Sequence, residues 1–244
     1  MLKKTILVLL ILSLISLFSF SNSVDRESEF KKHLEMKEKS IYKDIKWKGI
    51  GPYFMGGRIT DIEAYENKPY TFLLATASGG LWKTKNNGTT WKSLFDNYSS
   101  ITLGDIAVSQ TNENLLWAGT GEENSSRSSY AGTGVFKSID GGKSWKNMGL
   151  RDSHHIAEII IDPKNNNIVY VASLGHLNTT NEQRGIFKTE DGGKTWEKVL
   201  YISNRTGIVN LVMDPQDSKI LYAASWDKGR KAWNMTESGV ESSI

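Results

Sequence analysis

The segments Ser138-Ile-Asp-Gly-Gly-Lys-Ser-Trp145 and Thr189-Glu-Asp-Gly-Gly-Lys-Thr-Trp196 repeat one pattern, and Thr84-Lys-Asn-Asn-Gly-Thr-Thr-Trp91 is a third, more divergent copy. The three tryptophans are 54 and 51 positions apart. Each copy follows a short segment of glycine, two hydrophobic residues and lysine, at positions 80–83, 134–137 and 185–188. Repeats of about 50 residues with several short strands each are typical of β-propeller blades. The sequence therefore predicts an all-β protein, a β-propeller of four-stranded antiparallel blades.

The third repeat predicts four strands, at residues 155–162, 168–173, 185–189 and 196–200. A fourth repeat begins with residues 206–214 and 220–225 but has no later copy of the turn pattern. The segment Ile45–Gly51 resembles the outer strand Ser144–Gly149, and no blade precedes it. We therefore expect about three and a half blades, as the N-terminal fragment of a longer propeller. The remaining blades of the same polypeptide are then an expected partner.

The composition agrees with a packed β-protein. The chain has 39% hydrophobic residues, eight Trp, 22 Gly and four Pro, which excludes a disordered or collagen-like chain. With 30 Lys and Arg against 27 Asp and Glu there is no strong positive charge, so no nucleic-acid partner is expected. The chain has no Cys, which excludes disulfides and thiolate metal sites. No cofactor is predicted.

The N-terminus has the pattern of a secretory signal. Residues 1–23 combine Lys3 and Lys4, an apolar run from Thr5 to Phe20, and the small residues Ser21-Asn22-Ser23. An uncleaved membrane anchor is the second choice, because a helix of 16 residues is only about 24 Å long, which is shorter than the roughly 30 Å hydrocarbon core of a bilayer. We expect a secreted, periplasmic or cell-surface protein without a membrane segment after signal removal. Residues 24–46 form a charged, helical lead-in, and residues 47–244 form the partial propeller.

The Ser/Thr-x-Asp-x-Gly-x-x-Trp pattern resembles the Asp-box, or BNR repeat, of sialidases, sortilin and xyloglucanases. The repeats at 84–91, 138–145 and 189–196, with segments such as Gly56-Gly-Arg-Ile-Thr-Asp61 and Gly119-Thr-Gly-Glu122, resemble secreted bacterial proteins of the sortilin N-terminal domain-like, BNR glycosyl hydrolase-like type. The resemblance covers about Trp47 to Trp233. It implies structural roles on outer turns for the Asp-box residues, which are Asn86, Gly88, Trp91, Asp140, Gly142, Trp145, Asp191, Gly193 and Trp196.

Candidate ligand-binding residues lie where inner strands and long loops face the propeller axis. These are Arg58, Asp61, Glu122, Tyr130, His155, His176, Trp226 and Arg230. For Arg58 and Asp61, a structural ion pair or turn role is the alternative. Glu122 and Glu123 are adjacent, so they point to opposite faces of a strand and are not themselves a glycosidase pair. One of them together with Asp61 or Asp105 remains an open alternative.

His154, His155 and His176 raise the question of a metal site, because imidazole is a common ligand. No carboxylate falls at a recognisable ligand spacing, so we expect structural histidines and no metal. Xyloglucanases, which the chain resembles, carry a catalytic Asp where this sequence has Ala77, in Thr76-Ala-Ser-Gly-Gly80. The resemblance therefore favours a secreted, sortilin-like binding module for a glycan or peptide. The alternative is a glycoside hydrolase of the BNR type, and whether the protein is an enzyme stays open.

Overall fold

The computed structural model describes residues 25–45 and 57–244. The chain divides into two compact units, with the boundary between residues 46 and 47. The predicted signal at residues 1–23, and positions 46–51 of the predicted N-terminal strand, lie outside the described residues. Within the described ranges, none of the helices has the length and apolar character to cross a bilayer.

In the described part of the first unit, residues 25–45, the chain forms the helix α1 (Arg26–Lys39). Its N-cap is Asp25, whose carboxylate accepts a hydrogen bond from the backbone N–H of Glu27. The first turn is acidic and the last turn carries Lys37 and Lys39, which complements the helix dipole at both ends. None of its residues is buried, so capping and charge placement are its visible stabilising features.

The second unit consists of short antiparallel sheets that follow chain order. The first sheet contains β1 (Ile59–Tyr65), β2 (Lys68–Thr76), β3 (Leu81–Thr84) and β4 (Lys92–Ser93). The second contains β5 (Leu103–Val108), β6 (Leu116–Thr120), β7 (Val135–Ser138) and β8 (Lys146–Asn147). The third contains β9 (Ile156–Ile161), β10 (Val169–Ser173), β11 (Gly185–Thr189) and β12 (Glu197–Leu200). A two-stranded sheet follows, with β13 (Thr206–Met213) and β14 (Leu221–Asp227), and then a small hairpin, β15 (Gly229–Arg230) and β16 (Met235–Thr236).

These sheets are successive propeller blades. The first strands of the sheets, β1, β5, β9 and β13, pack side by side in that order and are called the inner strands below. Among the described residues, three complete blades and the first two strands of a fourth, β13 and β14, confirm the predicted all-β class and the predicted count of about three and a half blades.

The hydrophobic core lies between neighbouring blades. Phe95 at the end of the first blade packs edge to face on Phe136 of the second, with ring centroids 5.1 Å apart. Trp117 of the second blade is fully buried and packs with Ile156 and Val171 of the third. Burial of apolar surface contributes about 25 cal/mol per Å². Each blade is thus stabilised chiefly by its neighbours, as in other repeat folds.

The second and third repeat turns use the same hydrogen bonds. In the second turn, Asp140 Oδ1 accepts the backbone N–H groups of Lys143 and Ser144, both at 2.9 Å, and Asp140 Oδ2 accepts the Ser144 hydroxyl at 2.5 Å. The third turn repeats this around Asp191. The glycine two residues after the central Asp or Asn has positive φ in all three turns, which L-residues with side chains rarely adopt.

The first turn keeps this geometry although Asn86 replaces the aspartate. Asn86 Oδ1 accepts the backbone N–H of Thr90 at 2.9 Å, and Asn86 Nδ2 donates to the Thr90 hydroxyl at 3.0 Å. The hydroxyl that donates to the carboxylate in the other turns here accepts from the amide. The substitution therefore reverses one hydrogen bond and preserves the turn.

The tryptophan after each turn connects two blades where a preceding blade is described. Trp145 immediately precedes β8, and its Nε1–H donates to the carbonyl of Leu94 in the first blade, at 3.1 Å. Trp196 immediately precedes β12 and donates to the carbonyl of Met148 in the second blade, at 2.7 Å. Trp91 instead packs edge to face on Phe72 of its own blade and is 38% exposed.

Candidate functional site

The inner strands begin, and the second strands end, at the same face of the blades, and the long loops gather there. Arg58, just before β1, meets Glu122 in the loop between β6 and β7 as a two-point ion pair. Arg58 Nε donates to Glu122 Oε2 at 3.2 Å, and Nη2 donates to Oε1. The pair joins the first two blades across 64 positions of sequence. Arg58 therefore pairs with Glu122 and not with Asp61, the nearer acid in sequence.

Glu122 is a buried carboxylate saturated with donors. It also accepts from the hydroxyl of Ser129 at 2.7 Å and from the Asn124 amide at 3.3 Å. Burial alone raises its pKa, but the hydrogen bonds from Arg58, Ser129 and Asn124 outweigh it and lower the pKa below the ordinary value. Glu122 is therefore ionised at neutral pH and poorly suited to donate a proton.

His155 supports the same loop from the third blade. Its Nδ1 lies 2.7 Å from the backbone carbonyl oxygen of Glu122, and its ring is buried. Burial lowers the pKa of His155 to about 4, so the imidazole is neutral at physiological pH and Nδ1 carries the proton that the carbonyl accepts. The ring is not accessible to a ligand, which favours a structural role for His155.

Carboxyl groups of the inner strands form a second constellation. Asp61 Oδ2 accepts the backbone N–H of Ile106 at 3.2 Å, and Asp105 Oδ2 accepts the backbone N–H of Ile159 at 2.6 Å. Each carboxyl thereby satisfies an N–H on the inner edge strand of the next blade. Edge strands otherwise present unpaired donors, so these bonds join the blades and protect their edges.

Burial and mutual repulsion keep these carboxyls difficult to ionise. Burial raises the pKa of Asp61, and burial together with the charges of Glu158 and Asp61 raises that of Asp105 well above its ordinary value. Glu158 is raised to a pKa of about 7 and Glu63 to about 8, in both cases first by burial. Glu63 and Glu158 are therefore partly protonated near neutral pH, and the pKa values of Asp61 and Asp105 are raised in the same direction.

The segment after β14 crosses to the loop of the second blade. Lys228 Nζ donates to the backbone carbonyl of Glu123 at 3.2 Å, and Arg230 Nη1 donates to that of Ser125. The ammonium of Lys228 also lies 3.4 Å from the ring centroid of Trp226, which is cation–π geometry. Trp226 therefore serves as a platform for a lysine of its own chain.

A cationic pocket of about 320 Å³ lies beside this crossing segment. Among the described residues that line it, none is acidic and five are basic: Arg184, Arg205, Lys228, Arg230 and Lys231. Trp233 forms part of the wall and is 82% exposed. Cavities of this size accommodate a small ligand or one residue of a larger one.

The predicted site residues separate into distinct groups. Arg58, Glu122 and His155 come together, Arg230 lines the pocket, and Asp61 lies on the inner strands. Tyr130 is exposed in the loop of Glu122. His176 lies beside Asp152 and His154, and the ligand atoms of these three residues are within 4.8 Å of one another.

Sequence reasoning missed most of the pocket lining, including Lys228, Lys231 and Arg184. The available signal was the cluster Lys228-Gly-Arg-Lys231, with three cations in four residues just after a predicted strand. Arg184 has no such signal, because its guanidinium is buried and donates to backbone carbonyls of Leu174, His176, Thr179 and Arg205.

The fold is similar to those of GH74 enzymes of known crystal structure. An ancestral GH74 enzyme is 22% identical over 74% of this chain and 23% of its own length, with a TM-score of 0.60. The GH74 xyloglucanase from Xanthomonas campestris is 13% identical over 76% of this chain and 29% of its own length, with a TM-score of 0.54. The GH74 enzyme from Niastella koreensis is 18% identical over 69% of this chain and 26% of its own length, with a TM-score of 0.50.

These similarities define the class of protein as a β-propeller, and at such low identity they carry the fold alone. The chain spans less than one third of the length of each of these enzymes. No protein-family model and no curated protein matches the sequence.

Proposed function

We propose that this propeller is a binding module for a glycan or peptide that presents a carboxylate next to a flat apolar face. The observation that carries the proposal is the pocket lined by five cations and the exposed ring of Trp233. A carboxylate is the complementary charge, and an aromatic ring stacks against a sugar face or an apolar side chain.

Not all five cations are available to a ligand. Arg184 is occupied by backbone carbonyls, and Arg205 Nε pairs with Asp227 Oδ1 at 2.6 Å. Lys231 has its ammonium 5.9 Å from the Trp233 ring centroid, so a cation and an aromatic face are presented together. We assign ligand recognition to Lys228, Lys231 and Trp233. The three arginines, Arg184, Arg205 and Arg230, fix the loops around them.

Lys228 makes the proposed binding depend on pH. Burial lowers the pKa of Lys228 to about 7, so only about half of the Lys228 side chains are protonated at neutral pH in the free protein. A bound carboxylate favours the ammonium form and raises this pKa, so binding takes up a proton. Affinity should then fall as pH rises above 7, by up to about tenfold per pH unit until the pKa of the complex is passed.

The binding experiment has two ligand arms that separate the sources of the carboxylate. In the glycan arm, calorimetric titrations compare oligosaccharides that contain uronic acids against neutral oligosaccharides. In the peptide arm, they compare peptides that have a free C-terminus against the same peptides in amidated form. We expect binding in one carboxylate arm and not in its neutral counterpart. Binding of neither carboxylate ligand above the neutral ones would overturn the proposal.

Variants test whether the pocket is responsible. Lys231→Met should weaken binding about tenfold or more, because a hydrogen bond to a charged group contributes about 1.5–3 kcal/mol. Trp233→Ala should have a similar or larger effect, as expected for an aromatic anchor. Lys143→Met, in the exposed second repeat turn, is the matched control and should leave the affinity unchanged. Equal affinities for all three variants would place the ligand elsewhere.

The alternative, a glycoside hydrolase of BNR type, is favoured by the raised pKa values of the inner-strand carboxyls, which suit a general acid. Against it, Asp61 and Asp105 each hold a backbone N–H of a neighbouring blade, and Ala77 is buried and supplies no carboxylate. Release of reducing sugar that is abolished by Asp61→Asn or Glu122→Gln would establish the hydrolase and replace the binding proposal.

Export to the cell surface or beyond, through residues 1–23, is part of the same proposal, as is the Asp-box and sortilin-like assignment. The hydrogen-bonding pattern shared by the three repeat turns supports the latter.

A further inference from the structure

Two histidines and one aspartate meet outside the pocket, at the same face of the third blade. Asp152 belongs to a short 3-10 helix, Arg151–Ser153, and His154 follows it directly. His176 comes from the loop between β10 and β11. One ligand atom from each of the three side chains lies within 4.8 Å of the other two. The imidazole rings of His154 and His176 stack with centroids 3.6 Å apart.

The backbone of His154 is held in a strained conformation to reach this position. Its φ is 59°, in the left-handed region that L-residues with large side chains rarely adopt. Its carbonyl oxygen accepts the N–H of Gly132 at 2.7 Å, and a side chain at position 121 would collide with that same oxygen. The loop of the second blade therefore fixes His154. Strained residues of this kind concentrate at functional sites.

His176 and Asp152 are each oriented by a second set of partners. His176 Nδ1 lies 2.8 Å from the hydroxyl of Thr179, and the Asn181 amide donates to the backbone oxygen of Asp152 at 2.7 Å and to its Oδ2 at 3.3 Å. The remaining atoms, His176 Nε2 and Asp152 Oδ1, face each other at 3.0 Å. Metal ligands are characteristically oriented in this way, with the second ring nitrogen hydrogen-bonded to an outer partner.

We infer that Asp152, His154 and His176 form a binding site for a divalent transition-metal ion of the zinc type. Imidazole nitrogen and carboxylate oxygen are the donors that Zn²⁺ uses, and three protein ligands leave a fourth position for water or an exogenous group. Imidazole binds an ion through the nitrogen lone pair in the plane of its ring, and the two stacked rings are only 16° from parallel. One ring therefore turns out of the stack when both bind one ion. The Asp152 side chain is 57% exposed, which gives an ion access from solvent. This inference departs from the sequence-based expectation of no metal site, and it does not depend on the proposed ligand pocket.

The sequence did not reveal the site because its two parts are far apart along the chain. Asp152 and His154 are two positions apart, while His176 is 22 positions further on and is brought back by the hairpin of β9 and β10.

The tautomer of His176 distinguishes the ion-free state of the site from the ion-bound state. Without an ion, Nε2–H donates to Asp152 and Nδ1 accepts from Thr179; with an ion, Nδ1–H donates to Thr179 and Nε2 coordinates.

The test is calorimetric titration of the chelator-treated chain, prepared without a polyhistidine tag, with ZnCl₂. We expect one Zn²⁺ per chain at this site. His154→Gln and His176→Gln should each abolish saturable binding at this site. His33→Gln removes a histidine of α1 and is the matched control, with affinity equal to wild type. Thr179→Val should weaken binding by about 10- to 100-fold, the usual effect of removing an outer-shell partner.

Circular dichroism of each variant checks folding. If a histidine variant is unfolded, Asp152→Asn replaces it, because this exposed side chain tolerates an isosteric change. Co²⁺ provides a second readout, since its visible absorption reports nitrogen and oxygen coordination and should disappear in the same variants. Absence of Zn²⁺ binding by the wild type, or binding that persists in His154→Gln, His176→Gln and Asp152→Asn, would overturn the inference.

Discussion

Replacing Trp145 tests whether the blades are held together by the tryptophans of the repeat turns. The Trp145 side chain is 8% exposed, packs edge to face on Phe95 at 5.5 Å, and donates Nε1–H to Leu94. Truncating a buried aromatic residue to alanine costs about 3–5 kcal/mol of unfolding free energy, since it removes apolar contact and leaves a cavity. Trp145→Ala should fall in that range.

Two further variants separate packing from hydrogen bonding and provide a control. Trp145→Phe keeps much of the apolar surface but leaves the Leu94 carbonyl without its donor, so we expect a loss of about 1–2 kcal/mol. Trp91→Ala removes the equivalent residue of the first turn, which is more exposed and contacts Phe72, so about 1–2 kcal/mol is expected.

The measurement is equilibrium unfolding in urea followed by far-ultraviolet circular dichroism, because tryptophan fluorescence changes with each substitution. If Trp145→Ala does not fold at all, Trp145→Phe still reports the midpoint shift. The reasoning would be refuted if Trp145→Ala and Trp91→Ala lowered the unfolding free energy equally, or if Trp145→Ala lost less than about 1 kcal/mol.

Three other predictions concern charge. Glu63 and Glu158 have folded-state pKa values of about 8 and about 7, above the 4.5 of the unfolded chain, so the folded state binds more protons and stability should fall as pH rises from about 5 to 8. Glu63→Gln should flatten this decline in melting temperature. Hydrogen bonds from Thr195, in particular its hydroxyl, hold the pKa of Asp191 far below its usual range, so its contribution is present above about pH 4 and lost in acid; Asp191→Asn should melt with less acid sensitivity, and an unchanged acid profile would contradict this. Glu122→Gln leaves the guanidinium of Arg58 without its anion, and we expect a loss of about 1–3 kcal/mol in urea unfolding, larger than for Glu113→Gln on the exposed Lys68 pair.

The repeat turns and blades were predictable because their determinants are local. A glycine at positive φ, a side-chain acceptor and a following tryptophan lie within eight residues, and the predicted strands of the third repeat agree with β9 to β12 within one or two residues.

The candidate site was less predictable because its contacts cross blades. Nothing local connects Arg58 to Glu122, or Lys228 to the loop of the second blade. One missed signal was present in the inner strands, where a polar residue followed by Ile or Leu recurs at the same register opposite Ala or Gly. These pairs are Asp61-Ile62, Asp105-Ile106, Glu158-Ile159 and Asn210-Leu211.

In the hydrogen bonds that connect Asp61 and Asp105 to the next blade, each carboxyl accepts from a main-chain N–H group, which every residue except proline carries. The side chain on the accepting strand is therefore free to change without breaking the connection. A blade that supplies one carboxyl at this register can adjoin any blade whose inner strand follows the same path. When a blade is duplicated and the sequence of the copy later diverges, the hydrogen bond between neighbouring blades is therefore retained.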